Sequence, residues 1–261
     1  MESSLVEAGL APGRMGYFAA RSAAMGAVGP AVVAATFYNF NPELVARHLP
    51  RAWSLAEPAD VLAARYRAVD QALRRLLGDQ ALASAELAEA AELAREAIED
   101  GSPAEGRPLY AAHAALPWPE AVHLRLWHAL TLLREHRGDG HLVSLVRHGL
   151  NGIDAIVSHT ATGAGFLETP ARKLRGWSDE EWADSISRLR DRGVLTDGEL
   201  ALTEAGVRLR AEVEAETDSL AAGPWQRLGQ DKAERLIELG KPLTRLALAN
   251  GAFPPGVFAN R

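Results

Sequence analysis

Apolar residues recur at three- and four-residue spacing along most of this chain, which predicts helices joined by tight turns. Small residues dominate 14–24, and Gly26, Gly29 and Pro30 interrupt the pattern before the apolar run 31–40, so a helix, a turn and a second buried helix are expected. Asn41-Pro42-Glu43 combines a capping amide, a proline at the first helical position and an acid near the positive helix end; a short helix starts there and ends at Pro50. Pro58 opens an amphipathic helix to Leu77, and 80–99 forms another, rich in Ala and Glu, so the pair predicts a helical hairpin. Asp100-Gly101-Ser102-Pro103, followed by Gly106 and Pro108, has linker composition and places a domain boundary near Gly106. Beyond it, 120–137 reads as a central helix, apolar around most of its circumference and ended by Gly138. Asp139 and Asn151 are expected N-caps of two further helices, and 231–249 closes the fold.

Between these lies the most specific local pattern. Ser178 followed by Glu181 is the S-x-x-E arrangement that caps a helix reciprocally, and Trp182, Ile186 and Leu189 give that helix an apolar face ending at Gly193. Residues 194–196, the turn Asp197-Gly198 and 200–202 predict a short hairpin, after which Thr203 starts another amphipathic helix. The expected fold is therefore mostly α: a helical domain over 1–106, and over 107–261 a winged helix-turn-helix domain with a short β-hairpin wing. Its recognition helix begins with Asp179, Glu180 and Glu181 and continues to Asp184, the wrong charge for a helix that enters a DNA groove.

Composition sharpens this picture. Ala supplies much of the 48% apolar content and aromatics are only 6%, favouring closely packed helices over a β-sandwich. The chain contains no cysteine, so disulfides, thiolate metal sites and cysteine nucleophiles are excluded. No apolar run reaches the length of a membrane span, and no leader pattern opens the chain, so a cytoplasmic protein without a membrane partner is expected. A formal charge of -6 gives no overall attraction to nucleic acid.

Gly16-Tyr17-Phe18-Ala19-Ala20-Arg21, Ala35-Thr36-Phe37-Tyr38-Asn39-Phe40, Arg134-Glu135-His136-Arg137-Gly138-Asp139-Gly140-His141 and Leu202-Thr203-Glu204-Ala205-Gly206 together resemble an actinobacterial helix-turn-helix family often labelled SalK-like. The last stretch is also similar to many winged-helix proteins of the MarR type. The resemblance spans nearly the whole chain and implies a winged-helix fold and little else; paired nucleotide-binding glycine boxes are absent, so no kinase activity is carried over. Members of that family begin with an additional helix upstream of Arg14, where this chain has only a short lead.

The chemistry-bearing candidates follow from side-chain density. Residues 134–141 hold two arginines, two histidines and two carboxylates. They read as a solvated interhelical corner, as an anion pocket built on Arg134 and Arg137 three apart, or as a metal site of His136, Asp139 and His141, whose spacing matches no established zinc motif. In a catalytic version His136 or His141 moves a proton while an arginine holds an acidic group. His113 and His128 are either hydrogen-bonded core residues or a haem ligand or base. Tyr17, Arg21, Tyr38 and Asn39, among small residues, either pack or orient a ligand. Arg172, Lys173 and Arg175 are the candidate phosphate contacts. No G-x-S-x-G elbow, Walker loop or dinucleotide fingerprint occurs, and no cofactor is identified. The expected function is binding, with catalysis open, of an anionic small molecule between the helical domain and a winged helix that no longer binds DNA. The alternative is a MarR-like, ligand-responsive, dimeric DNA-binding regulator.

Overall fold

The periodic segments form helices in the computed structural model, which describes residues 2–99 and 102–253. In chain order these are α1 (Glu2–Glu7), α2 (Arg14–Ser22), α3 (Pro30–Phe37), α4 (Pro42–Ala46), α5 (Leu49–Leu55), α6 (Pro58–Leu82), α7 (Ala85–Ile98), α8 (Pro108–Ala114), α9 (Val122–Arg147), α10 (Gly152–Thr160), α11 (Glu168–Arg175), α12 (Asp179–Asp191), α13 (Glu204–Leu228) and α14 (Gln230–Ala249). The lead before Arg14 thus forms a helix of its own. Among the described residues no single helix is long and apolar enough to cross a membrane.

The chain divides into two compact units. The first gathers the segments up to Gly29, His48–Gly140 and Leu220–Phe253; the second gathers Pro30–Arg47 and His141–Ser219. Gly106, a turn residue with φ 71°, lies within the first. The composition-based linker at Asp100-Gly101 falls outside the described residues.

In the first unit, Leu87, Ala90, Ala91, Ala94 and Ile98 line one face of α7 and pack with Leu126, Ala129, Leu132 and Leu133 of α9 and Leu236 and Leu239 of α14. The alanines at three- and four-residue spacing let the helices approach closely, the packing that an Ala-rich, aromatic-poor composition predicts. Helix α6 breaks at Gly78 (φ 76°, ψ 157°), near the predicted end at Leu77. In the second unit the core is Leu145, Ile153, Ile156 and Val157 with Trp182 and Leu189 of α12 and Val213 of α13. Predicted caps are present: the Asn41 side chain accepts from Glu43 N, Asn151 from Asp154 N, and Ser178 and Glu181 form the reciprocal capping box.

Two sequence expectations are corrected. Among the described residues there is no β-strand, so the winged helix with a β-hairpin wing does not form; the segment after α12 holds one isolated antiparallel bridge, Leu195 to Leu202. The backbone groups that would extend a ladder are committed elsewhere. Val194 and Leu195 N–H both bond Leu189 O at the end of α12, while Arg190 takes the carbonyls of Thr196 and Gly198. The expected stop at Gly138 is also overturned, because α9 runs unbroken to Arg147. Packing accounts instead for the glycine two positions on: a Cβ on Gly140 would stand 2.8 Å from Arg107 Nη1 and 3.2 Å from Leu220 Cβ, whereas one on Gly138 would meet only Glu135 Oε2 at 3.7 Å. Asp139 consequently caps another helix, accepting from Tyr110 N at 2.9 Å in the first turn of α8.

Candidate functional site

Four helices of the first unit each bring an ionisable group to one place. Helix α2 supplies Arg21, with Tyr17 one turn earlier; α6 supplies Arg65 and Tyr66; α8 supplies His113; α9 supplies Glu135, with Trp127, His128 and Arg134 on neighbouring turns. Glu135 is buried, its side chain 2% exposed, and binds Arg21 in bidentate fashion, Nε to Oε1 at 3.2 Å and Nη2 to Oε2 at 2.8 Å. Arg134 donates to Oε1 from the solvent side at 2.6 Å. Arg21 Nη1 also donates to Tyr17 Oη at 3.4 Å. Burial raises the Glu135 carboxyl, but the hydrogen bond and charge of Arg21 outweigh it and leave the group below its ordinary value, an ionised carboxylate at neutral pH.

Arg65 differs. Its Nη1 lies 2.7 Å from His113 Nε2, and its guanidinium stacks 4.8 Å from the centroid of the Trp127 ring. A guanidinium only donates, so His113 accepts through Nε2 and must carry its proton on Nδ1, which donates to Leu109 O at 2.9 Å. That neutral tautomer agrees with burial and the Arg65 charge, which push the His113 pKa down to about 4. No carboxylate of the described residues lies within ion-pair distance of Arg65, and burial draws its pKa down to about 10. Among the described residues, Glu135 is the carboxylate that the guanidiniums of Arg21 and Arg65 share in this cluster. His128 sits beside it, buried, with Nδ1 2.9 Å from Tyr66 Oη and its pKa also lowered to about 4, by burial and then by Arg65.

The structure distributes the predicted residues unevenly. Tyr17, Arg21 and Arg134 meet at Glu135, whereas Arg137 lies exposed on α9. The remaining candidates have structural partners. His136 packs edge-on against Tyr110, ring centroids 5.1 Å apart, with its carbonyl bonded by Arg107 and its pKa lowered to about 4 by burial. Asp139 caps α8, and burial raises its carboxyl. His141 Nδ1 pairs with Thr217 Oγ1 at 2.8 Å in the second unit. Among the described residues no three His, Asp or Glu side chains converge as a metal site would require, and His136, Asp139 and His141 do not form one. Both ring nitrogens of His113 are engaged, so neither is left for an iron. In the second unit Tyr38 Oη donates to Leu150 O at 2.6 Å and Asn39 O accepts from Trp177 Nε1 at 3.0 Å. Tyr38 has φ 56°, and a Cβ on Gly152 would fall 2.0 Å from its carbonyl oxygen, so this corner is close backbone packing.

Sequence reasoning missed Arg65 and passed over Glu135. A signal existed: Val61, Ala64, Arg65, Ala68 and Val69 occupy one helical face at i, i+3, i+4, i+7 and i+8, so a charged residue stands in an apolar register. Four of the five are buried and Arg65 is half-buried.

The second unit carries α11, a turn through Gly176 at φ 77°, and α12, a succession of helix, tight turn and helix of which the sequence predicts the second helix. A helix-turn-helix family profile matches residues 1–254. The chain belongs to this helix-turn-helix family. No curated protein and no solved structure matches it. In this helix-turn-helix protein the basic residues near α12 are largely occupied. Arg172 pairs with Asp179, and Arg175 stacks on Phe40 and Phe166 at 4.5 and 5.1 Å. Arg188 reaches buried Asp154 at 2.9 Å, and Arg192 takes the carbonyls of His148 and Gly149. Lys173 is exposed, but so are Asp179, Glu180, Glu181 and Asp184, and the outer face of the second helix is acidic at its start.

Proposed function

We propose that this helix-turn-helix family protein binds a small anionic molecule at the Arg21–Arg65–His113 cluster of its first unit, and that its acidic second helix does not read DNA. The observation that carries the reading is Arg65, a half-buried cation that bonds a neutral imidazole and stacks on an indole face, with Glu135 attracting it only through space. A half-buried guanidinium with no ion-paired carboxylate is costly to hold, and perturbed groups of this kind gather at functional sites. A carboxylate or phosphate seated there would supply the missing negative charge, with Arg21 and Arg134 already drawn to that side by Glu135. The ligand site expected between two domains is in this way assigned to four helices of one unit.

Thermal unfolding in the presence of acetate, phosphate and benzoate tests the proposal against an Arg65→Met variant. A saturable rise in Tm is expected for the wild type with at least one of the three, and none for Arg65→Met. Without ligand, Arg65→Met is itself expected to stay within about 1–2 kcal/mol of the wild type, because removal of the half-buried charge is offset by loss of the donor to His113 Nε2. Anion stabilisation that persists in the variant, or an absence of stabilisation by all three anions, overturns the proposal.

Membership of a helix-turn-helix family favours a second reading, a ligand-responsive DNA-binding regulator of the MarR kind in which Arg172 and Lys173 meet phosphates. Retardation of the protein's own promoter fragment at moderate salt, lost in an Arg172→Ala, Lys173→Ala double variant, would establish that reading in place of the first.

A further inference from the structure

An apolar groove of about 380 Å³ opens in the first unit among α6, α7, α9, α13 and α14. Leu73, Leu126, Leu243 and Ile237 form its apolar lining, with Trp127 and Trp225 as aromatic walls. Its size falls in the range of small-molecule sites, which lie at roughly 300–1,000 Å³ and are predominantly apolar with a few placed polar groups. Several of the side chains that border it are left open to solvent: Leu130 is 45% exposed, Trp225 40% and Ile237 55%. These side chains give the groove an apolar rim as well as an apolar lining.

What decides the occupant is the charge next to the groove. Trp127 belongs to both features: its side chain lines the groove, and its ring receives the Arg65 guanidinium at 4.8 Å. Among the described residues, the only ionisable one lining the groove itself is His123, whose Nε2 is held by Asp70 at 2.7 Å. A groove walled by the same indole on which Arg65 stacks, with no carboxylate of the described residues ion-paired to that guanidinium, is complementary to an amphiphile with a negative head. A purely apolar molecule would leave Arg65 unpaired, and a cationic amphiphile would meet it as a like charge.

We infer that the ligand is an amphiphilic carboxylic acid, its hydrocarbon body lying in the groove between Trp127 and Trp225 and its carboxylate on Arg65. This rests on the anion reading above and names the class of molecule that such a site takes. Binding alone is inferred; no bond is made or broken.

The test uses three probes on the full chain: acetate as head alone, decanoate below its micelle concentration as head and tail, and decanol as tail alone. Binding is read by calorimetry and by tryptophan fluorescence in the wild type, in Arg65→Met and in Ile237→Asp, a change at an exposed rim position that leaves the core intact. Decanoate is expected to bind about tenfold or more tightly than either acetate or decanol. Arg65→Met should reduce decanoate to the level of decanol, and Ile237→Asp should weaken both long-chain probes while sparing acetate. Decanoate binding no tighter than acetate, with acetate still dependent on Arg65, overturns the amphiphile and leaves the anion site standing. Decanoate binding that ignores Arg65→Met, with no acetate binding, overturns both. A wild-type dimer that Ile237→Asp converts to monomer, without decanoate binding, would assign the groove to a second copy of the chain and likewise overturn the inference.

Discussion

Glu135 holds two arginines and is itself fully enclosed, so its loss has consequences different from those of losing Arg65. Glu135→Ala removes the carboxylate that Arg21 binds in bidentate fashion and takes a buried negative charge out of the cluster. Breaking a buried pair from one side typically costs about 3–5 kcal/mol. Arg21 retains some exposure, 17% of its side chain, so a loss near the lower end is expected in urea unfolding. A clear loss for Glu135→Ala beside a near-neutral Arg65→Met would separate a structural ion pair from a cation kept for a ligand. The histidines give a pH signature. His113, His128 and His136 are each lowered to about 4, first by burial. The unfolded chain takes up these protons near pH 6.5, whereas the folded chain resists until about pH 4. Their contribution to stability is therefore complete above about 6.5 and is lost as the pH falls from there towards 4, by at most about 1.4 kcal/mol per pH unit for each histidine. Asp139, whose carboxyl is raised, offsets part of the loss at the acid end. Urea midpoints at pH 7 and pH 5 should differ accordingly; equal midpoints would mean that the three rings are not held neutral.

Helix ends in this protein show how far local sequence carries. Ser178, Asn41 and Asn151 cap the helices that begin directly after them, because a cap bonds a backbone N–H two or three residues ahead and needs nothing distant. Ser178→Ala should cost about 1 kcal/mol and shorten α12. Asp139 has the same side chain chemistry and the same expected role, yet it caps α8, 29 positions earlier in the sequence. The hairpin after α12 failed for a related reason: its turn residues are suitable, but the helix terminus and Arg190 claim the carbonyls and N–H groups that a second rung would use. Gly152 shows an element fixed by its neighbour. Gly152→Ala drives a methyl into the Tyr38 carbonyl and should destabilise the second unit by about 2 kcal/mol or more, visible as a lowered Tm.

For the molecule as a whole, family membership and surface charge pull in opposite directions. A helix-turn-helix supplies the scaffold of a DNA reader, but the net charge is -6 and the exposed start of α12 carries Asp179, Glu180, Glu181 and Asp184. Purified protein is expected to show no salt-dependent retention on duplex DNA, while Asp179→Lys with Asp184→Lys should gain weak, salt-sensitive, sequence-independent retention. Unchanged behaviour in that double variant would show that the acidic face is not what keeps DNA away.

The sequence by itself determined the helical class, most helix starts, the capping box and the acidic character of the second helix. Each of these depends on residues within a turn or two of one another, or on composition. Of the candidate residues, Tyr17 and Arg21 were legible as polar groups among small or apolar neighbours, and Arg134 through the charge density of 134–141. Only the tertiary structure decided that Arg21 meets Glu135 across 114 positions, that Arg65 has an imidazole where a carboxylate would be expected, and that His136, Asp139 and His141 serve separate packing tasks. Helical periodicity tells which face a side chain occupies but not which helix lies opposite. Because charge compensation in a buried site is a sum over groups from four helices, it exists only once those helices are packed.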